Sequence, residues 1–239
     1  MVPIEENVAR VLDEIARAER ESGRAPGSVR LCAATKLNTP ESIQRAIAAG
    51  VHICGENRVQ ELTAKRPLGA YEGAELHFIG HLQKNKAKEL VGVAALIQSC
   101  DSLELLEKIN SLALARGVRQ NVLLEVNIGG EAAKSGFAPE ALEENLEKAA
   151  HLEAISIRGL MAIPPRAEQP GENRRFFAKM QQLFVDIGAK KYDNANMEVL
   201  SMGMSGDFVD AIAFGSNLVR VGTAIFGPRP APVPSATTR

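Results

Sequence analysis

Residues 31–49 read LCAATKLNTPESIQRAIAA, and this stretch contains a strand, a turn and a helix in immediate succession. The apolar run at residues 31–35 has the length and composition of a buried strand. An Asn-Thr-Pro turn then leads into residues 40–49, where apolar side chains recur with helical spacing. Lys36 follows the strand directly, so the pattern predicts a buried strand whose end carries an amine.

The same strand and helix unit recurs along the chain. The predicted strands are residues 31–35, 52–55, 76–79, 96–99, 122–127, 156–161, 197–201 and 218–221. The predicted helices are residues 40–49, 59–65, 84–91, 102–116, 139–150, 173–188 and 206–213, after an opening amphipathic helix near residues 4–22. Strict alternation predicts a parallel sheet. Eight units favour a closed α/β fold, a single (β/α)8 TIM barrel with an extra N-terminal helix. The first strand is not followed by a G-x-G-x-x-G motif, which would have indicated a dinucleotide-binding sheet.

Composition narrows the class of protein. The chain has 239 residues, with 45% hydrophobic and 24% charged content, which is typical of a soluble globular protein. The 28 basic and 29 acidic side chains give a net charge of −1, which provides no electrostatic reason to bind nucleic acid or an anionic membrane. No apolar stretch approaches the roughly 20 residues that span a bilayer. We therefore expect a cytoplasmic protein.

No linker divides the chain, so we expect one domain over residues 1–228. Residues 229–239 read RPAPVPSATTR and lack periodicity, which predicts a disordered C-terminal tail. The three cysteines, Cys32, Cys54 and Cys100, are widely spaced and show no paired C-x-x-C spacing. We expect them to pack as small apolar side chains, and the sequence predicts no metal site.

Two turns rich in small residues follow the last two predicted strands. Residues 202–206 read MGMSG after strand 7, and Gly222 and Thr223 follow strand 8. The loops at the carboxyl ends of the strands build the active site of such barrels, and the last two loops often bind phosphate. Exposed backbone amides and hydroxyl groups in these turns predict a phosphate site. Helix capping by Ser205 or Asp207 is the alternative interpretation.

Two basic side chains accompany these turns. The Lys36 amine forms a Schiff base with a carbonyl compound if its surroundings lower its pKa, although many strand-end lysines merely extend into water. Arg220 lies within an apolar strand, where a guanidinium needs a partner, either a ligand or Glu125 of another strand. A lysine, an arginine and a phosphate site together suit pyridoxal phosphate, which has an aldehyde, a phosphate and a ring nitrogen.

Several longer motifs carry a family resemblance. They are ATK at residues 34–36, GENRVQE at 55–61, HFIGHLQKNK at 77–86, LSMGMS at 200–205 and VRVGTAIFG at 219–227. In this order they resemble the pyridoxal phosphate homeostasis proteins, whose barrel is similar to the N-terminal domain of alanine racemase. The resemblance covers nearly the whole chain. It departs at residues 37–38, where Leu-Asn replaces a shorter polar or Thr-Lys-Pro-like turn, which affects the conformation of the lysine loop.

The resemblance implies a role for each matching residue. Lys36 would hold pyridoxal 5'-phosphate as a covalent aldimine, and Arg220 would face the pyridine nitrogen. Ser201, Ser205, Gly222 and Thr223 would approach the phosphate, and Asn57 and Met202 would line the pocket. No catalytic residue is assigned.

The function that the resemblance implies is intracellular pyridoxal phosphate homeostasis. The protein would buffer or carry the cofactor, with possible delivery to apoenzymes that depend on it, as a monomer and without established turnover. An arginine at the ring nitrogen disfavours a pyridinium, so the cofactor becomes a weaker electron sink than one paired with a carboxylate. A cofactor-dependent amino acid racemase or lyase is the alternative function, and a barrel enzyme that binds a phosphate ester without an aldehyde cofactor is a third.

Racemisation needs an acid or base on each face of the substrate. The related racemase uses a tyrosine from a partner subunit for the second face. Tyr71 and Tyr192 precede strands 3 and 7, so we expect both at the opposite, N-terminal end of the barrel. His81 or Cys100 remains a possible substitute.

Overall fold

The computed structural model describes residues 3–131 and 133–228, and these form a closed barrel of eight parallel strands. Each strand pairs with the next along the chain, and the last pairs with the first. The strands are β1 Arg30–Ala34, β2 Ile53–Glu56, β3 Glu75–Phe78, β4 Leu96–Cys100, β5 Gln120–Val126, β6 Ile155–Ala162, β7 Ala195–Ser201 and β8 Leu218–Val221. This confirms the predicted fold class. The predicted tail, residues 229–239, lies outside the described residues.

Helices connect the strands on the outside of the barrel. They are α1 Ile4–Glu21, α2 Pro40–Ala48, α3 Val59–Lys65, α4 Leu103–Arg116, α5 Leu142–Ala149, α6 Arg174–Gly188, α7 Phe208–Ala213 and α8 Thr223–Phe226. Short 3₁₀ helices cover Arg66–Leu68, Lys84–Glu89 and Pro139–Ala141. The helix predicted at 84–91 is thus a 3₁₀ helix, and α8 was not predicted because four residues are too few to show a period.

Alternation along the strands separates two apolar layers. Cys32 points into the barrel, whereas its neighbours Leu31 and Ala33 point towards the helices. The interior layer consists of Cys32, Ile53, Ile79, Leu96, Leu123, Met161, Val199 and Leu218. Most buried apolar side chains lie in the outer layer between strands and helices. All three cysteines are buried and unpaired, as small apolar packing requires.

The N-terminal helix closes one part of the outer layer. Helix α1 packs against α7 and α8, and it buries Val8, Val11 and Ile15 along one face. The spacing of these residues is that of one helical stripe, which explains why an amphipathic helix precedes the first strand. Among the described residues, no helix has the length and apolarity that a membrane crossing requires.

Close packing between β6 and β7 depends on a glycine. Gly159 has φ +144°, and a Cβ atom at this position would overlap the carbonyl oxygen of Val199 on the neighbouring strand. The pairing register of β6 with β7 shifts next to this residue. The glycine therefore permits both an unusual backbone conformation and a close backbone approach.

We expect Gly159→Ala to lower the free energy of unfolding by at least about 3 kcal/mol, because a backbone overlap adds to the cost of the conformation. Gly117→Ala is the matched control, since Gly117 has φ +62° at the end of α4 and nothing lies within 4 Å of its Cβ position. That variant should lose only about 1 kcal/mol. Urea unfolding measures both, and equal losses would contradict this account.

Candidate functional site

A pocket of about 700 Å³ opens at the carboxyl ends of β1 and β8, and we call it the mouth pocket. Five of the eight predicted site residues line it: Lys36, Ser205, Arg220, Gly222 and Thr223. The other lining residues are Ala34, Leu37, Asn38, Arg166, Met204, Gly206, Phe226, Gly227 and Pro228. Strand pairing explains this grouping, since β8 lies beside β1 with Ala33 opposite Val221.

The mouth pocket is positively charged. Its lining contains Lys36, Arg166 and Arg220, and no acidic side chain is among the described residues that line it. Opposite charges attract more strongly in a concave site than on a flat surface. The pocket therefore suits an anionic ligand.

Backbone donors converge in the turn after β8. The amides of Gly222 and Ala224 both donate to the Ser205 hydroxyl oxygen, at 3.2 and 3.4 Å. Gly222 also packs tightly, since a Cβ atom there would lie 3.3 Å from both the Cβ and the carbonyl oxygen of Ala34. The Ser205 oxygen thus occupies a position that an oxygen of a bound phosphate could share or take over. These groups fit the phosphate that the sequence predicts.

Arg220 is almost completely buried, with 4% of its surface exposed. One guanidinium nitrogen donates to the Ser201 hydroxyl at 2.5 Å, and the other terminal nitrogen donates to the Ala162 carbonyl oxygen at 2.9 Å. Burial lowers the pKa of Arg220, while the charges of groups that include Glu125 oppose this shift. No ion pair joins Arg220 to Glu125 in the part of the chain that the structure describes. Neutral oxygens hold the guanidinium.

A row of hydrogen bonds continues from Arg220 across the barrel interior. The Ser201 hydroxyl donates to Gln98 Oε1 at 2.7 Å, and Gln98 Nε2 lies 2.9 Å from His77 Nδ1. Because the Gln98 amide nitrogen is a donor, His77 Nδ1 accepts, and His77 Nε2 donates to Glu75 at 3.2 Å. Burial lowers the pKa of His77 to about 4, which agrees with a neutral ring. This interior row fixes the orientation of Arg220.

Ser201→Ala should therefore lower the free energy of unfolding by about 2 kcal/mol, because it removes a hydrogen bond from a buried guanidinium and another from Gln98. The exposed Ser111 on α4 donates only to a backbone carbonyl oxygen in its own helix, so Ser111→Ala is the matched control. We expect that variant to change stability by less than about 0.5 kcal/mol. Equal urea midpoints for the two variants would contradict the role of Ser201.

Three predicted site residues lie outside the lining of the mouth pocket. Ser201 points into the barrel, where it contacts Arg220 and Gln98. Met202 is completely buried in the outer layer, because the residue after Ser201 points to the opposite side of the sheet. Asn57 follows β2, and its Oδ1 atom is buried without a hydrogen-bond partner in the described structure. That orphaned acceptor would suit a donor supplied by a ligand.

Sequence reasoning missed two lining residues with distinctive side chains. Met204 lies two positions beyond Met202 and is 38% exposed at the pocket mouth. The Met-Gly-Met sequence at residues 202–204 indicated a methionine near the pocket, but only the structure shows which of the two methionines faces it. Arg166 follows the Pro-Pro turn after β6, where neither periodicity nor a motif indicated its direction.

The side chains considered for a second acid or base occupy different surroundings. Cys100 is fully buried, and burial raises the pKa of its thiol well above the usual range. His81 is exposed, and its Nδ1 atom lies 3.1 Å from an oxygen of Asp101. Tyr71 precedes β3 as expected, but its side chain extends towards the carboxyl end of the neighbouring strand β2. Its hydroxyl donates to Glu56 at 3.0 Å, beside the carboxyl end of β2 and on the helix side of the sheet.

Glu125 on β5 is an acid with altered proton affinity. Burial and then the charge of Asp101 raise its pKa to about 7, and the charge of Arg220 acts in the opposite direction. The folded protein therefore retains the proton of Glu125 over a pH range in which the unfolded chain has lost it.

Groups of three or more metal-binding side chains that could hold a metal ion do not occur among the described residues.

The raised pKa of Glu125 predicts a pH effect on stability. A carboxyl group whose pKa is raised on folding destabilises the folded protein as the pH rises. The destabilisation begins near the pKa of the group in the unfolded chain, about 4.3, and grows until the pH passes its pKa in the folded protein. Glu125→Gln removes this effect. Its stability relative to the unchanged protein should increase by roughly 2 kcal/mol between pH 4.5 and 7.5. Urea unfolding across this range measures the difference, and a difference independent of pH would contradict the assignment.

Comparison with known proteins gives consistent results. The family described as "Alanine racemase, N-terminal domain" matches residues 12–230. A protein of Aquifex aeolicus named pyridoxal phosphate homeostasis protein is 41% identical over 224 residues, which cover 94% of this chain and 97% of that protein. The protein of the same name from Pseudomonas aeruginosa is 38% identical over 96% of this chain and 97% of its own length.

Solved structures show the same likeness. The structure of PipY from Synechococcus elongatus with pyridoxal phosphate bound has a TM-score of 0.77 and 33% identity, and it covers 89% of this chain and 100% of that one. An alanine racemase of Clostridium difficile has a TM-score of 0.69 with 17% identity. The match covers 95% of this chain and 58% of the racemase, and at this identity it shows the fold alone.

Proposed function

The chain belongs to the family of pyridoxal phosphate homeostasis proteins, and from that membership we propose that it binds pyridoxal phosphate in the mouth pocket through Lys36. The observation that carries the proposal is the grouping of an amine, a buried guanidinium and converging backbone donors around one pocket, whose described lining contains no acidic side chain. PipY with its bound cofactor supports it.

Each part of the pocket has a chemical task in this proposal. Lys36 would hold the cofactor, because its Nζ atom would be the nucleophile for the aldehyde carbon, with the aldehyde oxygen released as water. The amides of Gly222 and Ala224, with the hydroxyls of Ser205 and Thr223, bind the phosphate. In this arrangement Ser201 holds Arg220 and does not itself contact the phosphate.

Arg220 also affects what the bound cofactor can do. Pyridoxal phosphate supplies an electron sink for carbanion chemistry, and that sink is strongest when the ring nitrogen is protonated. A guanidinium only donates hydrogen bonds and stays charged, so it favours an unprotonated ring nitrogen. This supports reversible binding and homeostasis rather than turnover as the function of the chain.

The alternative function, an amino acid racemase or lyase, rests on the fold that the chain shares with racemases. Racemisation requires a second proton-transfer group opposite the lysine. Neither tyrosine is among the described residues that line the mouth pocket, and Cys100 is buried. Steady conversion of any amino acid that is lost on Lys36→Ala would favour the enzyme.

The proposed role in pyridoxal phosphate homeostasis also includes delivery to apoenzymes, a monomeric state and a cytoplasmic location, as expected from the family resemblance.

We expect Lys36→Ala to abolish the absorbance band near 420 nm that pyridoxal phosphate gives when it is attached to a protein amine. Borohydride reduction followed by mass spectrometry should locate the cofactor on Lys36 in the unchanged protein. Lys108→Ala, on the exposed side of α4, is the matched control and should retain the band. A reducible adduct of undiminished stoichiometry on Lys36→Ala would refute the assignment.

A further inference from the structure

A buried polar cluster lies behind the loop that carries Lys36, on the helix side of the sheet. Its central residue is Lys65 at the end of α3, whose side chain is only 11% exposed. The Lys65 ammonium group donates to the Thr35 carbonyl oxygen at 3.1 Å, to Glu56 at 2.8 Å and to Glu61 at 2.9 Å. All three of its hydrogens are therefore engaged.

The two carboxylates of this cluster are also well satisfied. Glu56 is fully buried, and its Oε1 atom accepts from Thr35 Oγ1 at 2.9 Å and from Tyr71 at 3.0 Å, in addition to Lys65. Glu61 accepts from the Leu37 amide at 2.7 Å. The cluster therefore contacts the backbone on both sides of Lys36, at the carbonyl of Thr35 and at the amide of Leu37.

Leu37 has the unusual backbone conformation in this loop. Its φ is +63°, and it is the single residue other than glycine with a positive φ in the described chain. For a side chain such as leucine the left-handed conformation costs about 1–2 kcal/mol. The Leu37 side chain is 57% exposed, so apolar packing offers little compensation. A hydrogen bond from its amide to a carboxylate supplies an interaction of similar size, about 1.5–3 kcal/mol.

The charge of Glu61 contributes to this hydrogen bond. Burial alone would raise the pKa of the Glu61 carboxyl, but the Leu37 amide, the hydrogen bond and charge of Lys65, and the charge of Arg58 outweigh it and leave the pKa lowered. The carboxylate is thus stabilised in its charged form by the same contacts that fix the loop.

We propose that Glu61 and Lys65 are positioning residues that hold Leu37 in its left-handed conformation and so direct Lys36 into the mouth pocket. The inference rests on the proposed binding of pyridoxal phosphate by Lys36. It explains how a Leu-Asn sequence serves in this loop, because the contact from α3 adds to the hydrogen bonds of the turn itself, in which the Asn38 amide donates to the Thr35 carbonyl oxygen at 3.2 Å and the Asn38 side chain donates to the Lys36 carbonyl oxygen at 3.1 Å. It also assigns a function to Glu61, the last residue of GENRVQE, which does not line the pocket.

The main test is Glu61→Ala, since Glu61 is partly exposed and alanine is a good helix former. We expect its Kd for pyridoxal phosphate, measured by absorbance titration, to rise about 10-fold, equivalent to about 1.4 kcal/mol. Glu61→Gln keeps an oxygen for the Leu37 amide and should weaken binding by only about 3-fold. Glu107→Ala, an exposed position on α4, is the matched control and should bind as the unchanged protein does.

A second substitution separates positioning from a general structural role. Asparagine adopts the left-handed conformation at lower cost than leucine. Adding Leu37→Asn to Glu61→Ala should therefore recover at least about 3-fold of the lost affinity. A loss of affinity that Leu37→Asn does not reduce would overturn the proposal, as would unchanged affinity in Glu61→Ala.

Hydrogen exchange of the cofactor-free protein provides a test that needs no ligand. The Leu37 amide should exchange at least about 10-fold faster in Glu61→Ala, because its hydrogen-bond acceptor is lost. Unchanged exchange would overturn the proposal even if the protein binds pyridoxal phosphate. If the unchanged protein fails to form a Lys36 adduct while Leu37 exchange still depends on Glu61, the proposed function fails and the restraint on Leu37 stands.

Discussion

Hydrogen bonds between β8 and β1 close the sheet, and they place Cys32 opposite Arg220 and Ala33 opposite Val221. This register brings the two strand ends together although they are separated by almost the whole chain. The turn after β8 then packs closely against Ala34, where a Cβ atom on Gly222 would lie 3.3 Å from the Ala34 carbonyl oxygen. The amine of Lys36 and the backbone donors after β8 share one pocket because the barrel closes in this register.

Placing a guanidinium inside the barrel has a large desolvation cost. Two hydrogen-bond acceptors offset this cost, and both are held in place. Gln98 fixes the Ser201 hydroxyl, and the backbone of β6 fixes the Ala162 carbonyl oxygen. An apolar residue at position 220 would pack at lower cost. The arginine is therefore understandable as part of a binding site, and the interior row from Ser201 to Glu75 is the structure that supports it.

The sequence predicted the fold well because the strand and helix units alternate regularly along the chain. It also predicted that Lys36, Arg220 and the Gly222 turn lie together at one end of the barrel, and in the structure they line one pocket. It named Met202 rather than Met204 as a pocket residue, because both methionines lie in the loop after β7, where a local pattern does not show which side chain faces the pocket. The contact between Ser201 and Gln98 spans 103 positions along the chain, and the contact of Glu61 with Leu37 joins a helix to a loop. Local patterns carry no record of such pairings.

In the proposed complex, pyridoxal phosphate binds in the mouth pocket with its aldehyde carbon on Lys36 and its phosphate in the turns after β7 and β8. A crystal structure of the protein with pyridoxal phosphate would test it most directly. The account predicts continuous density from Lys36 Nζ to the cofactor, with phosphate oxygens within hydrogen-bonding distance of the Gly222 and Ala224 amides. A cofactor bound elsewhere, or one in the pocket with its phosphate away from these amides, would contradict it.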